Sequence, residues 1–267
     1  MMRSVPREWL IGIAMVAGCA EPPPAPVPKA ERPAVTIIAS PPIEAEPAGG
    51  PAATTSADPV ANEATTAAAS ATNPPDASWQ ALFDGAELGG WQKSSFGGAG
   101  DVTVEDGAIR IPMGVDLAGV TFSGEFPTQD YELALDARRV DGNDFFCGLT
   151  FPVGDECCSL ILGGWGGSIV GLSSIDGLDA ANNGTTQAKA FEQGRWYAVR
   201  ITVTPAKIEC WLDDERIIDQ PIENRRISVR DEVIPSKPLG IATYSTVGEA
   251  KNIRFRKLPA AAETSTP

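Results

Sequence analysis

Glu132, Asp136 and Arg138 fall on one side of a strictly alternating run, Tyr131-Glu132-Leu133-Ala134-Leu135-Asp136-Ala137-Arg138. Two carboxylates sharing a strand face can act as acid and base where that face is concave. On a solvated face the same residues would only make cross-strand salt bridges. Histidine is absent from all 267 residues. That excludes a Ser-His-Asp or Cys-His nucleophile system and zinc sites built on imidazole. Proton transfer must therefore fall to carboxylates, Tyr or Lys, and a metal would be a hard cation held by oxygens.

Trp165 stands alone among four glycines, in Gly163-Gly164-Trp165-Gly166-Gly167. Such a run leaves the indole exposed for stacking on a sugar ring, or lets it fold back onto the protein. No Lys-Ser/Thr follows, so the run is not a phosphate cradle. The segment from Ser173 to Thr186 carries Asp176, Asp179, Asn182 and Asn183. Its oxygens suit an ordinary loop, or a Ca²⁺ site of a spacing unlike the EF-hand. No resident metal or other cofactor is expected. Four cysteines lie in this half of the chain: Cys147, Cys157, Cys158 and Cys210. An exported protein permits disulfides, with three pairings open. Cys147 and Cys210 equally suit buried thiols, because both occupy apolar strand positions.

The elements that position these groups are strands. The period is 2 at Tyr197–Val203, at Ile208–Leu212 and at Ile253–Arg256, as in the run from Tyr131. Turn residues separate the runs at Glu105-Asp106-Gly107, Asp141-Gly142-Asn143, Asp213-Asp214-Glu215 and Val247-Gly248-Glu249. Many short strands with regular turns predict a sandwich or barrel. One short helical stretch is expected near Ile222-Glu223-Asn224-Arg225-Arg226.

Upstream of Trp79 the composition is of another kind. Arg3 and Arg7 precede a nine-residue apolar run from Trp9 to Ala17, too short to span a bilayer. This is the anatomy of a signal peptide. Val16-Ala17-Gly18-Cys19 resembles a bacterial lipobox, which implies lipidation of Cys19 after removal of residues 1–18. Residues 19–78 hold 13 of the 23 prolines and no aromatic side chain. They read as a disordered tether, and residues 259–267 as a disordered tail. Localisation at the cell envelope follows, held to the membrane by the lipid alone. The net charge of −14 makes nucleic acid an unsuitable partner.

Within residues 79–258 one family pattern is legible. Trp79-Gln80-Ala81-Leu82-Phe83-Asp84-Gly85, with Leu88 and Gly90-Trp91, resembles the opening of the 3-keto-disaccharide hydrolase domain (DUF1080). Val104-Glu105-Asp106-Gly107, Gly194-Arg195-Trp196-Tyr197, Leu239-Gly240-Ile241 and Lys251–Arg256 resemble its later pieces, in order. The resemblance implies an all-β, concanavalin A-like jelly roll of two antiparallel sheets. It also implies a carbohydrate partner, a glycoside oxidised at C3. Its 3-keto group acidifies the neighbouring C2–H, so a carboxylate base can start elimination of the aglycone. On this pattern Asn143 and Asp144 fall at the pocket edge, with Asp144 as the base or a sugar contact. Where the family carries a polar strand pair, this chain has largely Cys, Ser and Leu, in Cys157-Cys158-Ser159-Leu160. A non-catalytic carbohydrate- or partner-binding sandwich is the alternative. On the enzyme reading the expected site draws on Asp144, Glu132 and Asp136 for chemistry, and on Asn143, Arg138 and Trp165 for binding.

Overall fold

A computed structural model describes residues 78–98 and 100–259. The expected signal peptide, Cys19, the expected tether before residue 78 and the expected tail from residue 260 lie outside the described residues.

The alternation seen in the sequence builds two antiparallel sheets packed face to face. The back sheet runs β13 (Glu215–Pro221), β12 (Lys207–Leu212), β11 (Tyr197–Val203), β6 (Tyr131–Gly142), β15 (Thr246–Lys257), β4 (Ala108–Ile111) and β3 (Thr103–Glu105). Short β1 (Gln80–Ala81) also pairs with β15, at Phe255 and Arg254. The front sheet runs β10 (Gln187–Ala188), β9 (Ile169–Ser173), β8 (Glu156–Gly163), β7 (Cys147–Val153), β14 (Gly240–Tyr244), β5 (Leu117–Phe122) and β2 (Trp91–Lys93). This is the jelly-roll sandwich.

The core lies between the sheets. Tyr131, Leu133, Leu135 and Ala137 of β6 pack there with Tyr197, Val199, Ile201 and Val203 of β11. Facing them are Cys147, Leu149 and Phe151 of β7 and Cys158, Leu160 and Leu162 of β8. The Tyr131 hydroxyl crosses the layers and donates to the Pro152 carbonyl at 2.6 Å. All four cysteines of the domain are free and buried. Cys158 faces the core, whereas Cys157 faces outward, its thiol 3.7 Å from the Pro238 carbonyl oxygen.

β7 and β8 are buried on both faces. Residues 222–239 leave the back sheet after β13 and cross the outer face of the front sheet. Thr121 of β5 donates to the Pro235 carbonyl at 2.7 Å, and Val233 packs on Leu117 and Ala242. A strand covered on both sides has no polar face to display. This is why Cys157-Cys158-Ser159-Leu160-Ile161-Leu162 shows no polar alternation.

Two local expectations are corrected. Ile222–Arg226 forms a turn rather than a helix. Asn224 is left-handed (φ 57°), and the sole 3-10 helix among the described residues is Asp231–Ser236. Val247-Gly248-Glu249 is no turn but the start of β15, with an irregular register between Val247 and Gly248. The reversal comes earlier, at Ser245 (φ 44°). Gly248 is needed for another reason: a Cβ there would stand 2.6 Å from the Phe146 carbonyl oxygen.

Candidate functional site: a cleft on the front sheet

The outer face of the front sheet carries three ordered rows, fixed by strand register. The first holds Ser173, Ser159, Thr150, Gly240 and Thr121. The second holds Gly171, Ile161, Gly148, Ala242 and Gly119, so Ile161 is its one large side chain. The third includes Tyr244 opposite Leu117. The glycines let covering groups come close: an added Cβ would sit 3.0 Å from the Phe145 ring at Gly148 and 2.7 Å from the Ala180 carbonyl at Gly171.

Between this floor and the crossing segment lies a cleft of about 330 Å³. That is the lower end of the roughly 300–1,000 Å³ usual for small-ligand sites. Its floor is Ser173, Ser159, Ile161, Tyr244 and Leu117; Arg230, Glu232 and Val233 form one wall. Asp144, Phe145 and Trp165 line it as well. Trp165 is 45% exposed and Tyr244 38%. The Phe145 and Tyr244 rings stack at 5.9 Å.

The glycine run is a left-handed turn. Gly163, Trp165, Gly166 and Gly167 all have positive φ (77°, 52°, 88° and 109°). It is tied to the β6–β7 loop in two ways. The Gly166 amide donates to Asp144 Oδ2 at 2.8 Å, while the Phe145 amide donates to Oδ1 at 2.8 Å. Beneath, the buried Arg139 guanidinium donates through Nη2 to the carbonyls of Asp144 (3.0 Å), Gly167 (3.1 Å) and Gly163 (3.4 Å). Burial pulls the Arg139 pKa down, against the opposing pull of Asp144 and Tyr197. Side chains at Gly163 and Gly167 would collide with this arrangement: a Cβ would meet Arg139 Nη2 at 2.5 Å and the Asn143 carbonyl at 2.8 Å, respectively.

The other polar groups of the cleft have partners. Ser159 bonds Thr150 at 2.8 Å. Arg230 pairs with Glu232 at 2.5 Å and Asp179 at 3.0 Å. Asp176 pairs with Arg225 at 2.8 Å, and its carboxyl is held below the usual range by the Arg226 amide and then by Arg225. The two aspartates of the oxygen-rich loop thus face guanidinium groups. Among the described residues no three or more His, Cys, Asp or Glu side chains are grouped to hold a metal ion.

The structure brings Asp144 and Trp165 together in this cleft, with exposed Asn143 adjoining, its carbonyl against Gly167. Glu132, Asp136 and Arg138 lie elsewhere, on the outer face of the back sheet. Glu132 is 3% exposed and held by Arg200 (2.7 Å) and Arg256 (2.5 Å). Asp136 accepts from Asn252 at 2.6 Å. Arg138 pairs with Glu249 at 2.6 Å and lies 4.5 Å from the Trp196 ring centroid. Alternation puts these three on one face, as expected, but does not say which sheet's face opens into a cleft. Sequence reasoning did not reach Tyr244, Val233, Arg230, Glu232 or Arg139. The charged run Arg230-Asp231-Glu232 beside an apolar Val-Ile was the one local signal for the wall.

A jelly roll with a loop-walled cleft on one sheet, lined by an exposed indole and a carboxylate, is the class of protein defined here. The chain belongs to the 3-keto-alpha-glucoside-1,2-lyase-like domain family, whose model matches residues 78–258. No curated protein matches it in sequence. Among solved structures it is similar to a putative glycosyl hydrolase from Parabacteroides distasonis ATCC 8503, at 14% identity and TM-score 0.45, over 68% of this chain and 94% of that one. It is also similar to the carbohydrate-binding module CBM66 from Bacillus subtilis, at 15% identity and TM-score 0.43, over 63% and 96%. A third likeness is to the apo Crh5 transglycosylase, at 12% identity and TM-score 0.48, over 69% and 85%.

Proposed function

We propose that the front-sheet cleft binds a glycoside oxidised at C3 and eliminates its aglycone, in a domain tethered at the cell envelope through a lipid on Cys19. The observation that carries the reading is the single Gly166–Asp144 bond, which sets a carboxylate beside an exposed indole at the cleft. Trp165 offers its face to the sugar ring. Asp144 takes the proton from C2, which the 3-keto group acidifies. The C2–H electron pair becomes a C1=C2 double bond, and the C1–O bond breaks with its pair on the aglycone oxygen. That oxygen is protonated from solvent; addition of water to the enone then completes hydrolysis. Glu132, Asp136 and Arg138 are left out of this scheme because they lie on the other sheet.

The test is aglycone release from C3-oxidised glycosides by the full chain. Turnover by the wild type, with loss of about 10²–10⁴-fold in Asp144→Asn, supports the reading. Release that is absent, or equal in both proteins, overturns it. The tether is tested separately: Cys19→Ser moves the chain from the membrane fraction to the soluble fraction, and an unchanged distribution refutes the lipid anchor.

A second reading, non-catalytic glycan binding, is favoured by one observation: both Asp144 oxygens already accept backbone N–H bonds. It predicts that glycosides bind without being cleaved and that Trp165→Ala weakens their retention.

A further inference from the structure

We infer that the half of the cleft over β14 and β5 receives an apolar ring as the aglycone, rather than a second sugar. The inference rests on the proposed glycoside reading and adds the class of leaving group.

A second sugar would bring several hydroxyls, each needing a partner once water is expelled. The polar groups around the cleft are largely engaged with one another. Ser159 is bonded to Thr150, Arg230 to Asp179 and Glu232, and Asp144 to two backbone amides. Polar and apolar parts are also separated across the strands. Ser173 and Ser159 stand on β9 and β8, toward one side of the floor. Leu117 and Tyr244 stand opposite each other on β5 and β14, toward the other side. Val233 packs on Leu117 from the crossing segment, and Phe145 stacks on Tyr244. Apart from the Tyr244 hydroxyl, which lies 3.5 Å from Asp116, this second half is apolar and gains by covering an apolar ring. The two stacked rings also present an edge and a face to an aromatic guest.

The experiment uses the full chain and two C3-oxidised glucosides of the same anomeric form, one with a benzyl aglycone and one with glucose as aglycone. Both leave as alkoxides, so leaving ability does not bias the comparison. Calorimetry reads Kd, and aglycone release reads turnover. The expected result is benzyl binding at least about tenfold tighter, the effect of one well-buried ring. Val233→Asn and the more exposed Tyr244→Asn should each cut that ratio at least threefold. Equal affinities, or preference for the glucose aglycone, overturn the inference even where both compounds are cleaved. A benzyl preference without cleavage of either upholds the inference and defeats the catalytic reading. Failure to bind either compound defeats both.

Discussion

Gly166 donates its amide proton to Asp144 Oδ2 at 2.8 Å, so the turn that carries Trp165 is bonded directly to the carboxylate of the β6–β7 loop. Backbone in the left-handed region makes this contact, and only glycine adopts that region without strain at several neighbouring positions.

Gly167→Ala should therefore disturb the site more than its size suggests. At φ 109° the new Cβ would stand 2.8 Å from the Asn143 carbonyl. We expect a stability loss of about 1–3 kcal/mol and a marked fall in glycoside affinity, read by urea denaturation and calorimetry. Unchanged affinity would show that the turn does not position the ligand.

Arg139→Met removes the one side chain that donates to the Asp144, Gly163 and Gly167 carbonyls together. Hydrogen bonds from a charged donor contribute about 1.5–3 kcal/mol each, and their sum here is reduced because one group makes all three. A loss of about 2–4 kcal/mol in denaturant unfolding is expected, with partial recovery in Arg139→Lys.

Glu132→Gln tests the opposite face. The buried carboxylate answers two guanidiniums, Arg200 and Arg256. Both arginines reach solvent, so the loss should be about 1–3 kcal/mol, below that for a fully buried pair. Aglycone release should match the wild type when both are assayed folded. A selective loss of turnover would instead give Glu132 a part in the chemistry.

Burial pushes the Cys147 and Cys158 thiols up to about 12, from an ordinary value of 9.0. The unfolded chain gives up these protons first. The thiol contribution to stability is thus fully present below pH 9 and declines as pH climbs from 9 toward 12. Denaturation midpoints across that range should fall, and fall less steeply in a Cys147→Ala/Cys158→Ala double variant. In the native protein both thiols should resist a thiol reagent at pH 8.

The run from Tyr131 to Arg138 alternates cleanly because one face of β6 meets the core and the other meets water and arginine side chains. That pattern, with its repeats at Tyr197 and Ile208, made the sandwich legible before any coordinates. The exposure of Trp165 was legible too, since glycines flank it on both sides. The cleft wall was not. Val233 and Arg230 stand more than sixty residues from Trp165, in a stretch without period 2 or 3.6, and reach the floor only because the chain doubles back over the front sheet. β8 hid its role for the related reason that both its faces are covered. Strand periodicity reports which side chains share a face; it is silent on which face stays open.

The pairing of β1 with β15 brings the two ends of the described domain to neighbouring rungs of the back sheet, with Arg254 and Arg256 over Trp79. Both ends of the described domain thus belong to the back sheet, the layer opposite the one that carries the cleft. Immobilising the domain through residue 78 or residue 259 should therefore leave ligand uptake by the front-sheet cleft unchanged.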